Sequence, residues 1–278
     1  MLSSLTCLNH KIDLTKTQVM GILNVTPDSF SDGGHFIDLD QAIRQVSQMI
    51  KDGATLIDIG GESTRPGAEE VSETDELERV IPVLEAVKER FDVIVSIDTS
   101  KAVVMSEAIK CGAGMINDVR ALQNEGCLAA VANSKIPICL MHMLGLPRTM
   151  QTNPQYNDLI GDIKAFFNQR IAACNQAGIN QERLILDPGF GFGKTLEQNY
   201  HLLANFSDFN TYGLPLLAGV SRKSMIGNLL NQTVDERLAG SISAALISVQ
   251  NGAHIIRVHD VKETMDAIKI LQAVTLYQ

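Results

Sequence analysis

The chain has 278 residues, of which 45% are hydrophobic and 20% are charged, and its formal net charge is -9. This balance supplies enough apolar side chains for the core of one large domain or two small ones. The negative charge argues against nucleic acid or an anionic membrane as a partner, because both attract basic surfaces.

The cysteines and the N-terminal residues are typical of a protein from a reducing compartment. The five cysteines are scattered and form no C-x-x-C motif, which argues against a disulfide framework and a zinc site. The first residues lack the apolar core of a signal peptide, and no apolar run approaches the length of a membrane-spanning helix. We therefore expect a cytoplasmic protein with no membrane partner.

Eight short apolar segments alternate with amphipathic segments along the chain. They are almost continuously apolar, as is typical of parallel strands covered by helices. The predicted strands are residues 19–25, 56–60, 93–98, 115–119, 137–143, 184–187, 214–220 and 255–258.

Three of the intervening segments carry helix signals. Ser72 and Asp75 precede one apolar stripe of helical spacing, and Asp260 and Glu263 form a capping signal at the start of another. An extra or long helix is predicted between Leu230 and Ile255, capped near Asp235.

Eight strands that alternate with helices, without a low-complexity linker, predict a single (β/α)8 barrel domain over residues 1–278. An active site is then expected at the carboxyl ends of the strands. A doubly wound open sheet is the alternative. It should carry a glycine-rich dinucleotide turn after the first strand, where this chain has Asn24-Val25-Thr26-Pro27.

Polar residues lie at the ends of most predicted strands, and in a barrel these ends meet on one rim. A structural role is open to each one: Asp98 and Asp187, for example, could cap the helices that follow them. Their number on one rim favours a site. They are Asn24, Glu62, Ser63, Thr64, Arg65, Asp98, Asn117, Asp118, Asp187, Arg222, Lys223, Arg257 and His259.

Two polar residues lie inside predicted strands. Asp58 is interpreted as a buried structural carboxylate, and His142 as a residue of structural importance. Because strand side chains alternate, Met141 is expected to face inward.

Two rim loops and three anion-binding features complete the pattern. The loops at residues 27–36 and 62–71 are rich in Gly, Pro and Ser, which makes them candidate mobile segments. Arg257 with His259, Arg65, and the helix start at residues 221–224 each offer donors to an anion.

Several long motifs resemble the signature segments of the dihydropteroate synthase family, and the resemblance covers the chain from about residue 14 onward. They are MGILNVTPDSFSDGG (20–34), GATLIDIGGESTRPGA (53–68), SIDTSK (96–101), INDV (116–119), LDPGFGFGK (186–194), GVSRKSMIG (219–227) and RVHDV (257–261).

The resemblance implies an enzyme of folate biosynthesis. It would join 6-hydroxymethyl-7,8-dihydropterin diphosphate to 4-aminobenzoate and release 7,8-dihydropteroate and pyrophosphate. Members of the family are usually homodimers, use Mg²⁺ and are the targets of sulfonamides.

The resemblance also implies roles for individual residues. The implied pterin ligands are Asp98, Asn117, Asp187 and Lys223. The implied diphosphate ligands are Thr64, Arg257 and His259, with Asn24 as the Mg²⁺ ligand. The implied 4-aminobenzoate site is Phe30, Pro66, Phe192 and Ser224. Asp98, Lys223 and Arg65 are the implied catalytic residues.

The residue types suit this chemistry. The Asp187 carboxylate can accept two parallel donors from the pterin, and Asp98 can stabilise the cation that forms when diphosphate leaves. Arg65 would help to neutralise the diphosphate. Ordering the two loops has an entropic cost, so pterin diphosphate is expected to bind before 4-aminobenzoate.

Three other enzyme classes were weighed against this interpretation. A methyltetrahydrofolate-binding module of a corrinoid methyltransferase would share the pterin pocket but has no use for diphosphate ligands. A Schiff-base aldolase would use Lys223 as its nucleophile, but this lysine follows its strand instead of lying within it. A metal-dependent hydrolase would need a His-x-His motif near the first strand, which is absent.

Overall fold

Ten strands form in the computed structural model, which describes residues 3–26, 39–63, 71–145, 150 and 154–277. The strands are β1 (Ser4–Cys7), β2 (His10–Asp13), β3 (Gln18–Asn24), β4 (Leu56–Gly60), β5 (Ile94–Asp98), β6 (Met115–Asp118), β7 (Ile138–Met141), β8 (Leu184–Asp187), β9 (Leu217–Ala218) and β10 (Ile255–Val258).

Strands β3 to β10 pair in parallel in the order β8-β7-β6-β5-β4-β3-β10-β9, while β1 and β2 form a separate antiparallel pair. The two edges of the large sheet meet. The backbone N–H of Leu186 donates to the carbonyl of Pro215 at 2.9 Å, and Leu186 forms a parallel bridge with Leu216. The sheet is therefore a (β/α)8 barrel, as the sequence predicted.

Helices follow the barrel strands and cover the outside of the sheet. Those in the described part of the chain are α1 (Leu39–Lys51), α2 (Glu73–Arg90), α3 (Ala102–Lys110), α4 (Cys127–Ala132), α5 (Leu159–Gln176), α6 (Leu196–Ala204), α7 (Ser224–Leu230), α8 (Leu238–Gln250) and α9 (Val261–Thr275). Both α7 and α8 lie between β9 and β10, and α8 is the helix predicted between Leu230 and Ile255.

Alternation along each strand separates two packing layers. In β4, Ile57 and Ile59 belong to the core between sheet and helices, whereas Leu56 belongs to a second cluster inside the barrel. Every barrel strand contributes one residue to this inner cluster: Met20, Leu56, Ile94, Met115, Cys139, Ile185, Leu217 and Ile255.

The β1–β2 hairpin closes the amino-terminal end of the barrel. Leu5, Cys7, Ile12 and the following Leu14 are buried in the same inner cluster as the eight strand residues. The sequence pattern does not predict this hairpin, because each of its strands has four residues and β2 (HKID) carries one apolar side chain.

Two strands are each at least three residues shorter than predicted. The seventh predicted strand is reduced to Leu217–Ala218. On its amino-terminal side, the proline at 215 has no N–H for the ladder. On its carboxyl-terminal side, the chain turns after Val220, whose carbonyl accepts from Lys223 N at 3.4 Å. The fifth strand ends at Met141, and His142 adds one bond to the Asp187 carbonyl.

The helix caps agree with the sequence in one case and differ in two. The Ser72 hydroxyl accepts from Asp75 N at 3.1 Å, as predicted. Asp260 stands at the N-cap of α9, but its side chain makes no capping bond. The signal near Asp235 marks the short 3-10 helix Val234–Glu236, and α8 begins after it.

None of the helices in the described ranges is long and apolar enough to cross a bilayer. The five cysteines are free thiols, and four of them are buried.

Candidate active site

The strand register brings the predicted rim residues together. Asp98 is level with Gly60 on one neighbouring strand and with Asn117 on the other, and Asn24 is level with Gly60. A Cβ on Gly60 would lie 3.6 Å from Asp98 Cβ and 3.9 Å from Asn24 Oδ1. The glycine therefore leaves open space between these two side chains.

Arg257 joins two carboxylates at the centre of the rim. Its Nε donates to Asp58 Oδ2 at 2.6 Å, and its Nη2 donates to Asp98 Oδ2 at 2.9 Å. All three side chains are largely buried, so the pairing offsets the large desolvation cost of the two carboxylates.

Asp58 is part of this network, in addition to being buried as the sequence predicted. Its Oδ2 also accepts from Asn117 Nδ2 at 3.0 Å, whereas its Oδ1 is buried without a hydrogen-bond partner among the described residues. The sequence held a signal for this placement: Asp58 lies two residues from the inward Leu56, and strand side chains alternate.

The pKa values of Asp98 and Arg257 are both shifted in this network. Burial raises the pKa of Asp98 to about 7, although Arg257 opposes the shift. Burial alone would lower the pKa of Arg257, but the attraction of Asp58 and Asp98 raises it. Arg257 thus stays cationic, and Asp98 is poised to change charge near neutral pH.

Asp187 lies at the end of β8 and is also buried. Its Oδ1 accepts from the backbone N–H of Gly189 at 2.8 Å. Burial raises the pKa of its carboxyl, while the Gly189 N–H and the ammonium of Lys223 oppose the shift. Gly189 has a φ of 72°, and a Cβ there would lie 1.9 Å from the carbonyl oxygen of His142.

Lys223 faces the turn that follows β8. Its Nζ lies 4.2 Å from the centroid of the Phe192 ring, a cation–π geometry. Burial lowers the pKa of Lys223 to about 8, with a further contribution from Arg257, while Asp187 and Asp98 oppose the shift. Lys223 therefore lies between the carboxylates of the rim and the Phe192 ring, which forms an aromatic wall.

His142 and Lys194 form a buried pair beneath this wall, in line with the structural role expected for His142. Lys194 Nζ lies 3.1 Å from His142 Nδ1 and donates to the carbonyls of Gly189 at 2.8 Å and Phe192 at 3.2 Å. Burial lowers the pKa of Lys194 to about 7. The contacts to two carbonyls fix the backbone that carries Phe192, a role that the sequence analysis missed.

His259 lies at the exposed edge of the rim. Its Nδ1 is 3.0 Å from Ser221 Oγ, and its backbone N–H donates to the same oxygen at 3.2 Å. The residue is exposed, but the protein groups around its ring partly desolvate it. This desolvation, together with the cations Arg257 and Arg222, lowers the pKa of His259 to about 4. His259 is thus a neutral donor or acceptor near neutral pH.

Some predicted rim residues do not join the central network. Asp118 faces away from it and accepts from Leu122 N at 2.7 Å and Arg120 N at 2.8 Å, so it organises the turn after β6. Arg222 pairs with Asp260. Ser224 begins α7 and is exposed.

Four predicted site residues lie outside the described residues: Phe30, Thr64, Arg65 and Pro66. The same holds for most of the two loops at 27–36 and 62–71. Of the second loop the two ends are described, and there the backbone N–H of Val71 donates to Glu62 Oε1 at 3.3 Å.

A cleft of about 480 Å³ lies beside the central network, over the amino-terminal ends of α2, α3 and α4. It is lined by Val71, Ser72, Glu73, Ser100, Lys101, Ala102, Asn124 and Glu125. None of the strand-end residues that share Arg257 reaches it. We therefore place the candidate site at the ion-paired rim, where perturbed carboxylates and cations converge.

Groups of three or more His, Cys, Asp or Glu side chains that could hold a metal ion do not occur among the residues described. Lys223 occupies the N-cap of α7 rather than a strand, which disfavours the aldolase alternative.

Comparisons with known proteins agree on one family. A family model described as "Pterin binding enzyme" matches residues 20–259. The chain is 56% identical over 262 residues to the dihydropteroate synthase of Escherichia coli K12, which covers 94% of this chain and 93% of the relative.

Two crystal structures give the same result. A Yersinia pestis dihydropteroate synthase in a sulfonamide drug complex has a TM-score of 0.94 and 56% identity, covering 98% of this chain and 99% of that one. A Xanthomonas albilineans dihydropteroate synthase with 4-aminobenzoic acid has a TM-score of 0.93 and 45% identity, with 99% of both chains covered.

Proposed function

The chain belongs to the dihydropteroate synthases, a family of pterin-binding enzymes, and we propose that it carries out the reaction of that family. It joins 6-hydroxymethyl-7,8-dihydropterin diphosphate to 4-aminobenzoate and releases 7,8-dihydropteroate and pyrophosphate. The corrinoid methyltransferase module is disfavoured, because relatives at 56% identity over nearly the whole chain are synthases.

The observation that carries the proposal is the convergence of Asp98, Asn117, Asp187, Lys223 and Arg257 on one rim of the barrel. A flat heterocycle with donors on one edge and acceptors on another needs such a mixed set of buried groups.

Asp187 and Asn117 are suited to recognise the pterin edge. The carboxylate of Asp187 uses one lone pair for Gly189 N and retains acceptors for the pterin amino group and the adjacent ring N–H. The amide of Asn117 donates to Asp58 and keeps its oxygen for the ligand. Lys223 then supplies a donor to a ring acceptor on the opposite edge.

The chemical step separates charge at the exocyclic methylene of the pterin. The C–O bond to diphosphate breaks with its electron pair on oxygen, the arylamine nitrogen attacks the carbon, and the nitrogen then loses a proton. Asp98, when ionised, stabilises the cationic carbon. No protein nucleophile is required.

The diphosphate needs positive charge at the open side of the rim. Arg257 uses Nε and Nη2 for its carboxylate partners and retains Nη1 for an oxygen of the ligand. His259 adds a neutral donor, and Thr64 and Arg65 are assigned to the same group.

Asn24 is the proposed protein ligand for Mg²⁺. Its amide oxygen is a hard donor at the end of β3, beside the space over Gly60, and its side chain has no hydrogen bond within the described ranges. When bound, Mg²⁺ would neutralise charge on the diphosphate.

The 4-aminobenzoate site is assigned to the outer wall of the rim. Phe192 offers an aromatic ring on a backbone that Lys194 holds, and Ser224 offers an exposed hydroxyl. Phe30 and Pro66 are assigned to the same site on the family resemblance. The protein is further proposed to be a single domain, cytoplasmic and homodimeric.

The decisive experiment incubates the protein with both substrates and Mg²⁺ and detects dihydropteroate and pyrophosphate by mass spectrometry. Product should form at a stoichiometry of one pyrophosphate per dihydropteroate, and chelation of Mg²⁺ should suppress it. A sulfonamide should inhibit in competition with 4-aminobenzoate and not with the pterin. Absence of product with a folded protein would refute the proposal.

A further inference from the structure

Arg222 has an unusual backbone in the turn that joins β9 to α7. Its φ is 56°, in the left-handed region that residues with a Cβ disfavour. Its neighbours are Ser221, whose hydroxyl contacts the His259 ring, and Lys223, whose ammonium lies over Phe192. The conformation of Arg222 therefore sets the relative placement of two rim side chains.

Every polar part of the Arg222 backbone is held from outside the turn. Its N–H donates to Ser241 Oγ at 2.9 Å, and its carbonyl accepts from Arg237 Nη1 at 3.0 Å. Ser241 in turn donates to the Arg237 carbonyl at 2.7 Å. Disfavoured backbone conformations persist where surrounding contacts over-determine them, and they cluster at functional sites.

The side chain of Arg222 forms a bidentate ion pair with Asp260. Its Nε donates to Asp260 Oδ2 at 3.0 Å, and its Nη2 donates to Asp260 Oδ1 at 2.6 Å. Two parallel bonds between a guanidinium and a carboxylate form the strongest geometry for such a pair. A second carboxylate, Asp235, lies 3.8 Å away but is 95% exposed and contributes little.

Asp260 pairs with Arg222 instead of capping the helix that follows it. It occupies the N-cap of α9, where an Asp side chain normally accepts from the first turn, yet it makes no capping bond. Its side chain is 15% exposed and that of Arg222 is 33% exposed, so the pair is shielded more than a surface ion pair.

We propose that the Arg222–Asp260 pair is a positioning device that ties the turn after β9 to the turn after β10. Together with the backbone contacts to Ser241 and Arg237, it keeps Arg222 in the left-handed conformation and thereby holds Lys223 and His259 in one relative geometry. Neither member needs to touch the substrate. The inference rests on the proposed function, which assigns Lys223 and His259 to the pterin diphosphate.

Glycine and alanine at position 222 separate this role from direct anion binding. Both substitutions remove the guanidinium, but glycine populates positive φ freely and alanine does not. Arg222→Ala should lower kcat/KM for pterin diphosphate about 10-fold more than Arg222→Gly does. Equal losses in the two variants would mean that the guanidinium itself binds the substrate, and this would overturn the proposal.

Asp260→Asn tests the other half of the pair. In the parent protein it should lower kcat/KM roughly 3- to 10-fold, because a charged partner of Arg222 is lost. In the Arg222→Gly background it should change kcat/KM by less than about 2-fold, because the pair no longer exists. An equal loss in both backgrounds would place the action of Asp260 elsewhere and contradict the pair.

Two controls keep these results interpretable. Arg90→Ala removes an exposed guanidinium at the end of α2 and should leave kcat/KM unchanged. A parent protein that forms no dihydropteroate would refute the proposed function but not the pair. The same variants are then compared by calorimetric affinity for inorganic pyrophosphate, where the alanine variant should again bind more weakly than the glycine variant.

Discussion

On strands β4 and β8 the interior of the barrel changes from apolar to charged within two residues. At the amino-terminal level, Leu56 and Ile185 pack with the β1–β2 hairpin in a wholly apolar cluster. Two residues later on the same strands, Asp58 and Asp187 are buried carboxylates of the rim. The same inward face thus holds a dry core at one end and a charged site at the other.

The two levels have opposite effects on stability. Each buried apolar side chain contributes roughly 1.5–3 kcal/mol to folding, whereas a buried carboxylate is costly unless it is paired. Arg257 offsets part of that cost for Asp58 and Asp98. Substitutions at the rim should therefore change catalysis first, and substitutions at the closed end should change stability alone.

Asp98→Asn should give the largest effect on the rim. Loss of the charge that we propose stabilises the developing cation should lower kcat by about 100- to 1,000-fold, with a smaller change in pterin affinity. Steady-state kinetics and calorimetric titration with a pterin analogue measure the two separately. Asp92→Asn is the matched control, because Asp92 is 95% exposed. Weak pterin binding with near-normal kcat would instead make Asp98 an anchor of the ring.

Ile12→Ala tests the closed end of the barrel. Ile12 is 3% exposed inside the cluster, so its truncation should lower the free energy of unfolding by roughly 2–4 kcal/mol and leave kcat unchanged. Leu8→Ala on the same hairpin, where the side chain is 44% exposed, should lower it by less than about 1 kcal/mol. Urea unfolding measures both. A large fall in kcat for a folded Ile12→Ala protein would break the separation of the two levels.

The pH dependence should report the rim alone. As pH rises, kcat/KM should increase near pH 7, where Asp98 ionises, and decrease near pH 8, where Lys223 loses its proton. Lys223→Arg should remove the alkaline limb, since a guanidinium does not titrate in this range. A profile with the same alkaline limb in that variant would assign the limb to another group.

The contribution of Asp98 to folding stability should fall as pH rises towards 7, whereas kcat/KM rises over the same range. The folded state binds the Asp98 proton more tightly than the unfolded chain, because burial raises the pKa from 3.8 to about 7. The stability contributed by this proton is therefore complete below pH 3.8 and is lost as pH rises through 7. Comparison of the parent with Asp98→Asn across this range isolates the contribution.

The sequence predicted the barrel and most rim residues, because both follow from local patterns. Continuous apolar strands specify a covered parallel sheet, and strand ends of such a sheet must meet. Pairings across the barrel were not predictable in this way. The contact between Asp58 and Arg257 spans 199 residues, and the one between Arg222 and Asp260 replaces a local cap that the sequence favoured. The hairpin was missed because its strands are too short to show a period.

Ser96 lies at the boundary between the two levels, and its replacement should give the smallest effect. It is inward on β5, between Ile94 of the apolar cluster and Asp98 of the rim. Its hydroxyl is buried, with no hydrogen-bond partner in the described part of the chain. An unpaired buried hydroxyl is costly, so Ser96→Ala should leave the free energy of unfolding unchanged or raise it by up to about 1 kcal/mol. The variant should keep its kcat, because this hydroxyl forms no hydrogen bond to a described side chain of the network. A clear loss of pterin affinity would show that the ligand reaches Ser96. The binding site would then extend deeper into the barrel than the ion pairs of the rim.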